Sequence, residues 1–221
     1  MIRQHKLAWS AGSLLVFICL FISITQRVAW VPYFDQAIIT RVISFRPQGL
    51  TDFLIGVTTL GEPLSVTIIA IILLIALLMR RAYPEAVLMG VNVLLFSAVN
   101  TIIKQIVRRP RPFIADPSIV PLAHAGGFSF PSGHSSGTML LYGTVIILAS
   151  LHLKSKGWRR TIIGLSILMI LLTGYSRIYV QVHYPTDVLG GYTMAFTGLM
   201  WSWWFFDRYL KRQQERLIAQ Q

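Results

Sequence analysis

Six uncharged, mostly apolar runs alternate with short charged segments along this chain, at Leu7–Gln26, Pro63–Met79, Ala86–Ile103, Ser135–Leu153, Thr161–Ser176 and Val188–Phe206. Each approaches the roughly 20 residues with which a helix crosses the hydrocarbon of a bilayer. The pattern predicts an all-α, polytopic membrane protein: six transmembrane helices in a bundle, one domain over residues 1–221, and a charged tail at 207–221. Arg3 and Lys6 before the first run resemble a secretory signal, but the run is too long and lacks a small-x-small cleavage site, so a retained first span is expected.

Between the first two runs, Phe34, Ile38, Val42 and Phe45 recur at helical spacing, with Ile39 and Ile43 beside them and Asp35, Arg41 and Arg46 outside the stripe. An outer interfacial amphipathic helix fits, with Trp30 and Tyr33 at headgroup level. Gly61 and Pro63 around Glu62 predict a break before the second span, and Pro84 is placed to open the third. Asn92 and Asn100 inside the third run call for helix–helix hydrogen bonds. From Val107 to His134 the chain is too rich in proline and glycine for a span, which predicts an ordered loop.

Composition agrees: 54% of residues are hydrophobic and 13% charged. The net charge of +12 would suit nucleic acid, but its distribution does not. Arg3, Lys6, Arg80, Arg81, Lys154, Lys156, Arg159, Arg160, Arg208, Lys211, Arg212 and Arg216 fall in alternate segments, the bias of cytoplasmic loops, so both termini are expected inside. Lys104, Arg108, Arg109, Arg111 and Arg177 offend that rule, and an anionic ligand explains them better than orientation does. Cys19 has no second cysteine to pair with and reads as a small apolar residue, buried or lipid-facing.

The offending cations belong to three clusters that the topology carries to one side. Lys104 and Arg111-Pro112 follow the third span, Pro131-Ser132-Gly133-His134 precede the fourth, and Ser176-Arg177, His183 and Asp187 join the fifth to the sixth. Charged groups next to hydrocarbon cost roughly 2.5–3.5 kcal/mol each on insertion scales, so they require a reason. Arginine forks match phosphate oxygens, and the backbone at Ser132-Gly133 opens a helix whose N–H groups and dipole accept an anion. The ligand should be a phosphoryl group. His183, with Asp187 four residues on to orient its ring, is the candidate nucleophile; His134 is placed to protonate the leaving oxygen and then activate water. Asp35, Asp52, Glu62, Asp116 and Asp187 are scattered singly among cations, so no metal or other cofactor is expected. Arg108 and Arg109 read as headgroup contacts or solvated charges, His124 as a bystander, His5 and His152 as structural, and Tyr179 and Tyr184 as packing or interfacial aromatics.

The same residues, in type, spacing and order, resemble the three-part signature of the type 2 phosphatidic acid phosphatase family across positions 104–187. The resemblance implies a metal-independent lipid phosphatase working through a phosphohistidine, on a lipid that enters sideways from the bilayer. It assigns phosphate binding to Lys104, Arg111, Ser132, Gly133 and Arg177, attack to His183, its support to Asp187, and acid catalysis to His134. Chain size is similar to bacterial members acting on undecaprenyl pyrophosphate or phosphatidylglycerophosphate, with a lean toward the former or a broad range. A plasma-membrane location with an extracytoplasmic site is expected, the partners being the membrane and a lipid phosphate. Rival readings are a lipid phosphotransferase, a soluble vanadate haloperoxidase, which would not need six spans, and a non-enzymatic binder of anionic lipid.

Overall fold

The computed structural model describes the backbone of residues 2–219 and side chains from 5 to 209. The side chains of Arg3, Lys211, Arg212 and Arg216, counted above toward the charge bias, lie outside the described residues. The chain forms helices α1 (Ile2–Thr25), α2 (Trp30–Ile43), α3 (Gln48–Leu60), α4 (Pro63–Met79), α5 (Tyr83–Gly90), a π turn (Val91–Leu95), α6 (Phe96–Val107), α7 (Pro112–Ala115), α8 (Gly133–His152), α9 (Lys156–Tyr179) and α10 (Pro185–Ala219), with no strand among the described residues.

The all-α membrane architecture stands, but the count of six spans does not follow from length and hydropathy. Four described helical stretches are long and apolar enough, at His5–Thr25, Tyr83–Ala115, Gly133–His152 and Lys156–Tyr179. The pair α3 and α4 makes a fifth, bent by 54° at the Gly61-Glu62 break anticipated from sequence. The last expected span falls short because Gly190, Gly191, Thr193, Thr197, Trp201, Ser202, Trp203 and Trp204 dilute its apolar character. α10 lies against α1, α8 and α2, so protein rather than lipid surrounds much of it. Val188, Met194, Ala195, Leu199, Met200 and Phe206 are all buried.

Core packing follows these contacts. Phe17, Leu20 and Ile24 of α1 meet Val31, Phe130 and Met194; Val66 and Ala70 of α4 meet Met89, Val93 and Leu141. The third span is not one regular helix. Asn92, within the π turn, donates to Thr144 Oγ1 at 2.8 Å and accepts from Ser202 Oγ at 2.5 Å, tying three helices together. Asn100 donates to Ser136 Oγ at 3.0 Å, so both asparagines make the bonds their position demanded. At the other end of the bundle from the site described below, Lys6 pairs with Asp207 and stacks 3.8 Å over Trp203, while His152 lies 3.1 Å from Glu85.

α2 forms as expected, and its aromatic positions face out of the bundle. Val31, Asp35 and Ile39 are buried, whereas Tyr33 and Phe34 are exposed and Phe45 lies beyond the helix. Asp35, placed on the polar side by periodicity, is only 2% accessible because it meets groups from two distant segments.

Candidate active site

Each of the three sequence clusters arrives at the same end of the bundle, on elements whose ends position its side chains. Lys104 occupies the last turn of α6; Arg111 precedes α7; Ser132 caps α8, accepting from Ser135 N at 3.4 Å. Arg177 stands in the last turn of α9 rather than in a loop, and the true connection is only Val180–Tyr184. α10 then begins at Pro185 with Asp187 in its first turn.

His183 is buried, 1% accessible, and both ring nitrogens are engaged. Nδ1 lies 3.4 Å from Asp187 Oδ2 and 3.3 Å from Ser129 Oγ. Nε2 lies 3.1 Å from Arg111 Nη1. A guanidinium only donates, so Nε2 must be the unprotonated nitrogen, with its lone pair toward Arg111, and Nδ1 carries the hydrogen facing the carboxylate. Burial pushes the imidazole down to about 3, against the opposing pull of Asp187, so the ring is neutral at physiological pH. That is the form a nucleophile needs.

Asp187 is saturated. Its Oδ2 accepts from Tyr184 N at 2.8 Å and from the Ser129 hydroxyl; its Oδ1 accepts from Arg109 Nη1 at 2.7 Å. Arg109 continues to Thr186 Oγ1 and to Asp35 Oδ2, each at 2.7 Å, and its guanidinium sits 4.0 Å over the Tyr184 ring. The expectation of a headgroup contact or solvated charge at Arg109 is therefore corrected: two carboxylates compensate a largely buried cation.

The phosphate-binding candidates converge around this pair. Arg111 is held by the carbonyls of Gly126, Gly127 and Val182. Lys104 donates to the Phe128 carbonyl at 2.8 Å, and Arg177 Nη1 to Thr58 Oγ1 at 2.5 Å. Two buried polar atoms in the same region have no protein partner, Arg177 Nε and His134 Nε2. Arg177, His183, Arg111 and Lys104 all lie within electrostatic reach of His134. Unpaired buried polar atoms are costly, so two of them beside a cluster of cations mark a place for a ligand rich in acceptors. No backbone or side chain crowds Gly133, whose nearest neighbours would stand 3.7 Å from an added Cβ.

Sequence reasoning missed Ser129, Arg109, Asp35, Thr186 and Thr58. Among the described residues no three His, Cys, Asp or Glu side chains group in a way that could hold a metal ion. His124 is not part of any of these contacts, and Tyr179 packs beneath the site with its hydroxyl 2.7 Å from Thr51 Oγ1.

Comparison with known proteins identifies the family and the fold. Residues 85–211 match the PAP2 superfamily. Phosphatidylglycerophosphatase B of Bacillus subtilis is 30% identical over 187 residues, 82% of this chain and 87% of that protein. An undecaprenyl-diphosphatase of the same organism is 37% identical over 107 residues, 48% of this chain and 50% of its own length. Among solved structures, a transmembrane PAP2-type phosphatidylglycerolphosphate phosphatase from Bacillus subtilis superposes with a TM-score of 0.80 at 26% identity, covering 90% of this chain and 96% of the other. Aquifex aeolicus LpxE shares the fold, with a TM-score of 0.61 over 76% of this chain.

Proposed function

Since this chain belongs to the PAP2 superfamily and is a multi-pass membrane phosphoric ester hydrolase, we propose that it removes the terminal phosphoryl group of a lipid phosphate or pyrophosphate through a phosphohistidine at His183. One observation carries the residue assignment: the ring of His183 is held between Asp187 at Nδ1 and Arg111 at Nε2, which leaves the Nε2 lone pair facing the cation cluster. The phosphoryl oxygens bind Lys104, Arg111, Arg177, the Ser132 hydroxyl and the backbone N–H of Gly133, at the start of α8. Arg111 then exchanges its bond to Nε2 for one to phosphate. Nε2 attacks phosphorus, a P–N bond forms, and the P–O bond to the lipid breaks as His134, which takes up a proton once the phosphoryl anion offsets the surrounding cations, gives that proton to the departing oxygen. Neutral His134 next takes a proton from water, hydroxide attacks phosphorus, and the P–N bond returns its electrons to Nε2. The products are inorganic phosphate and a lipid alcohol or lipid monophosphate.

The cations supply the charge stabilisation that a metal would otherwise provide, so the reaction is metal-independent. Phosphatidylglycerophosphate and undecaprenyl pyrophosphate are the substrates to test first, because relatives are named for each and the motifs hold the phosphoryl group rather than the lipid. Alternation of basic segments supports both termini in the cytoplasm and a site on the extracytoplasmic side. Purified protein in detergent with EDTA should release phosphate from a panel of lipid phosphates. No release without a divalent ion overturns the cation clamp, and transfer of label to a lipid acceptor instead of water makes the protein a phosphotransferase.

A further inference from the structure

The Asp187 carboxylate is held by more than its histidine requires, and the extra hold comes from α2. Arg109 contacts Asp187 through Oδ1 alone, leaving Oδ2 to face His183 Nδ1, Ser129 and Tyr184 N. Asp35 engages the other end of the same guanidinium, through Nη2, at 2.7 Å. An arginine fork opposite a single carboxylate prefers the two-pronged arrangement, so a competitor is needed to hold it to one oxygen. Asp35 also accepts from Thr186 N and Thr186 Oγ1, both at 2.9 Å, and so caps the first turn of α10, the turn that carries Asp187. The Arg109 carbonyl accepts from Ser129 N at 2.8 Å, which places the second partner of His183 as well.

We propose that Asp35 and Arg109 are positioning residues for the phosphoryl transfer: together they decide which Asp187 oxygen meets His183, and through them α2 sets the alignment of the nucleophile. Neither side chain touches phosphate. The inference rests on His183 being the nucleophile supported by Asp187. It gives α2 a part in the reaction beyond anchoring, because a shift of α2 relative to α10 pulls Arg109 toward Asp187 Oδ2 and frees the ring of His183 to turn.

Three variants in purified, full-length protein test this: Asp35→Asn, which keeps shape while removing the charge and one of the two acceptor oxygens, Asp187→Asn, and the two together. Expected is a fall in kcat of about 10- to 100-fold for Asp35→Asn with KM within about threefold, as for other partners that orient a reacting group. Asp35→Asn should cost little more once Asp187→Asn is present, because the effect passes through that carboxylate. Asp35→Glu, which restores the charge, should recover part of kcat. If Asp35→Asn unfolds the protein, Arg109→Lys carries the same test, since a point charge cannot bridge both carboxylates. Multiplicative losses in the double variant, or a change confined to KM, overturn the inference while leaving the catalytic assignment intact. Undiminished activity in Asp187→Asn overturns the assignment itself.

Discussion

Replacing Gly191 by alanine is the sharpest available probe of how closely α10 must approach the start of α8. A Cβ at 191 would stand 2.5 Å from the Ser132 carbonyl oxygen, 3.1 Å from Ser135 Cβ and 3.3 Å from Ser136 N. Carbon and oxygen normally approach to about 3.3 Å, so one side must retreat by about 0.8 Å. Neither can do so by turning a side chain. The Ser132 carbonyl accepts from Ser136 N at 3.0 Å in the first turn of α8, and Ser132 N donates to the Asp187 carbonyl at 2.9 Å. The displacement therefore separates Ser132, Gly133 and His134 from His183 and Asp187. Overpacking of this kind costs about 1–3 kcal/mol, and a misplacement near 1 Å at reacting groups costs as much as about 100-fold in rate. Gly191→Ala should lower kcat/KM by about 30- to 100-fold with a modest loss of thermal stability, read by phosphate release and thermal unfolding in the same detergent. Gly12→Ala is the matched comparison, because nothing lies within 4 Å of a Cβ there and alanine is the better helix former. Activity of Gly191→Ala within threefold of the wild type would refute the claim that this contact sets the site.

Other substitutions address the chemistry. His183→Asn should abolish turnover, by about 1,000-fold or more, and should remove the acid-labile label that the wild type takes up from a phosphorylated lipid. His134→Asn should slow turnover by about 100- to 10,000-fold, and with an aryl phosphate, whose leaving group needs no proton, labelled enzyme should accumulate. Ser129→Ala should reduce kcat and leave KM little changed, because Ser129 touches Asp187 and His183 but no substrate. The His183 ring protonates near 3 in the folded protein and near 6.5 in the unfolded one, so below 6.5 the unfolded state binds the extra proton and stability falls with pH. Between pH 7.5 and 5 this removes about 2 kcal/mol, and unfolding compared in wild type and His183→Asn should show the difference shrinking accordingly.

The eight motif residues were legible because their chemistry is conspicuous next to hydrocarbon and because the ends of three spans had to meet. Their second layer was not. Ser129 is one more small residue in a loop of prolines and glycines, and Thr58 one more polar residue ahead of the Gly61-Glu62 break. Arg109 stands beside the motif, yet its partner Asp35 is 74 positions away, and no local spacing pairs them. Length and hydropathy support only four or five of the six expected spans for a related reason: α10 is surrounded by other helices, so its threonines, serines, glycines and tryptophans are accommodated without the hydropathy that a lipid-facing helix carries.

The buried polar side of α2 shows what periodicity can and cannot report in such a protein. A hydrophobic stripe identifies the side of a helix that differs from the other, and in water that side faces the core. At a membrane surface the apolar solvent is outside, so Phe34 and Tyr33 can face it while the polar side turns inward. An inward carboxylate is tolerable only when a fixed cation and hydrogen-bond donors meet it, and Asp35 has Arg109 and two donors of Thr186. The single acid on that segment is therefore better read as a demand for a buried cation elsewhere in the chain than as the solvated edge of an anchor. The uncompensated arginines after the third span were the place to look for it.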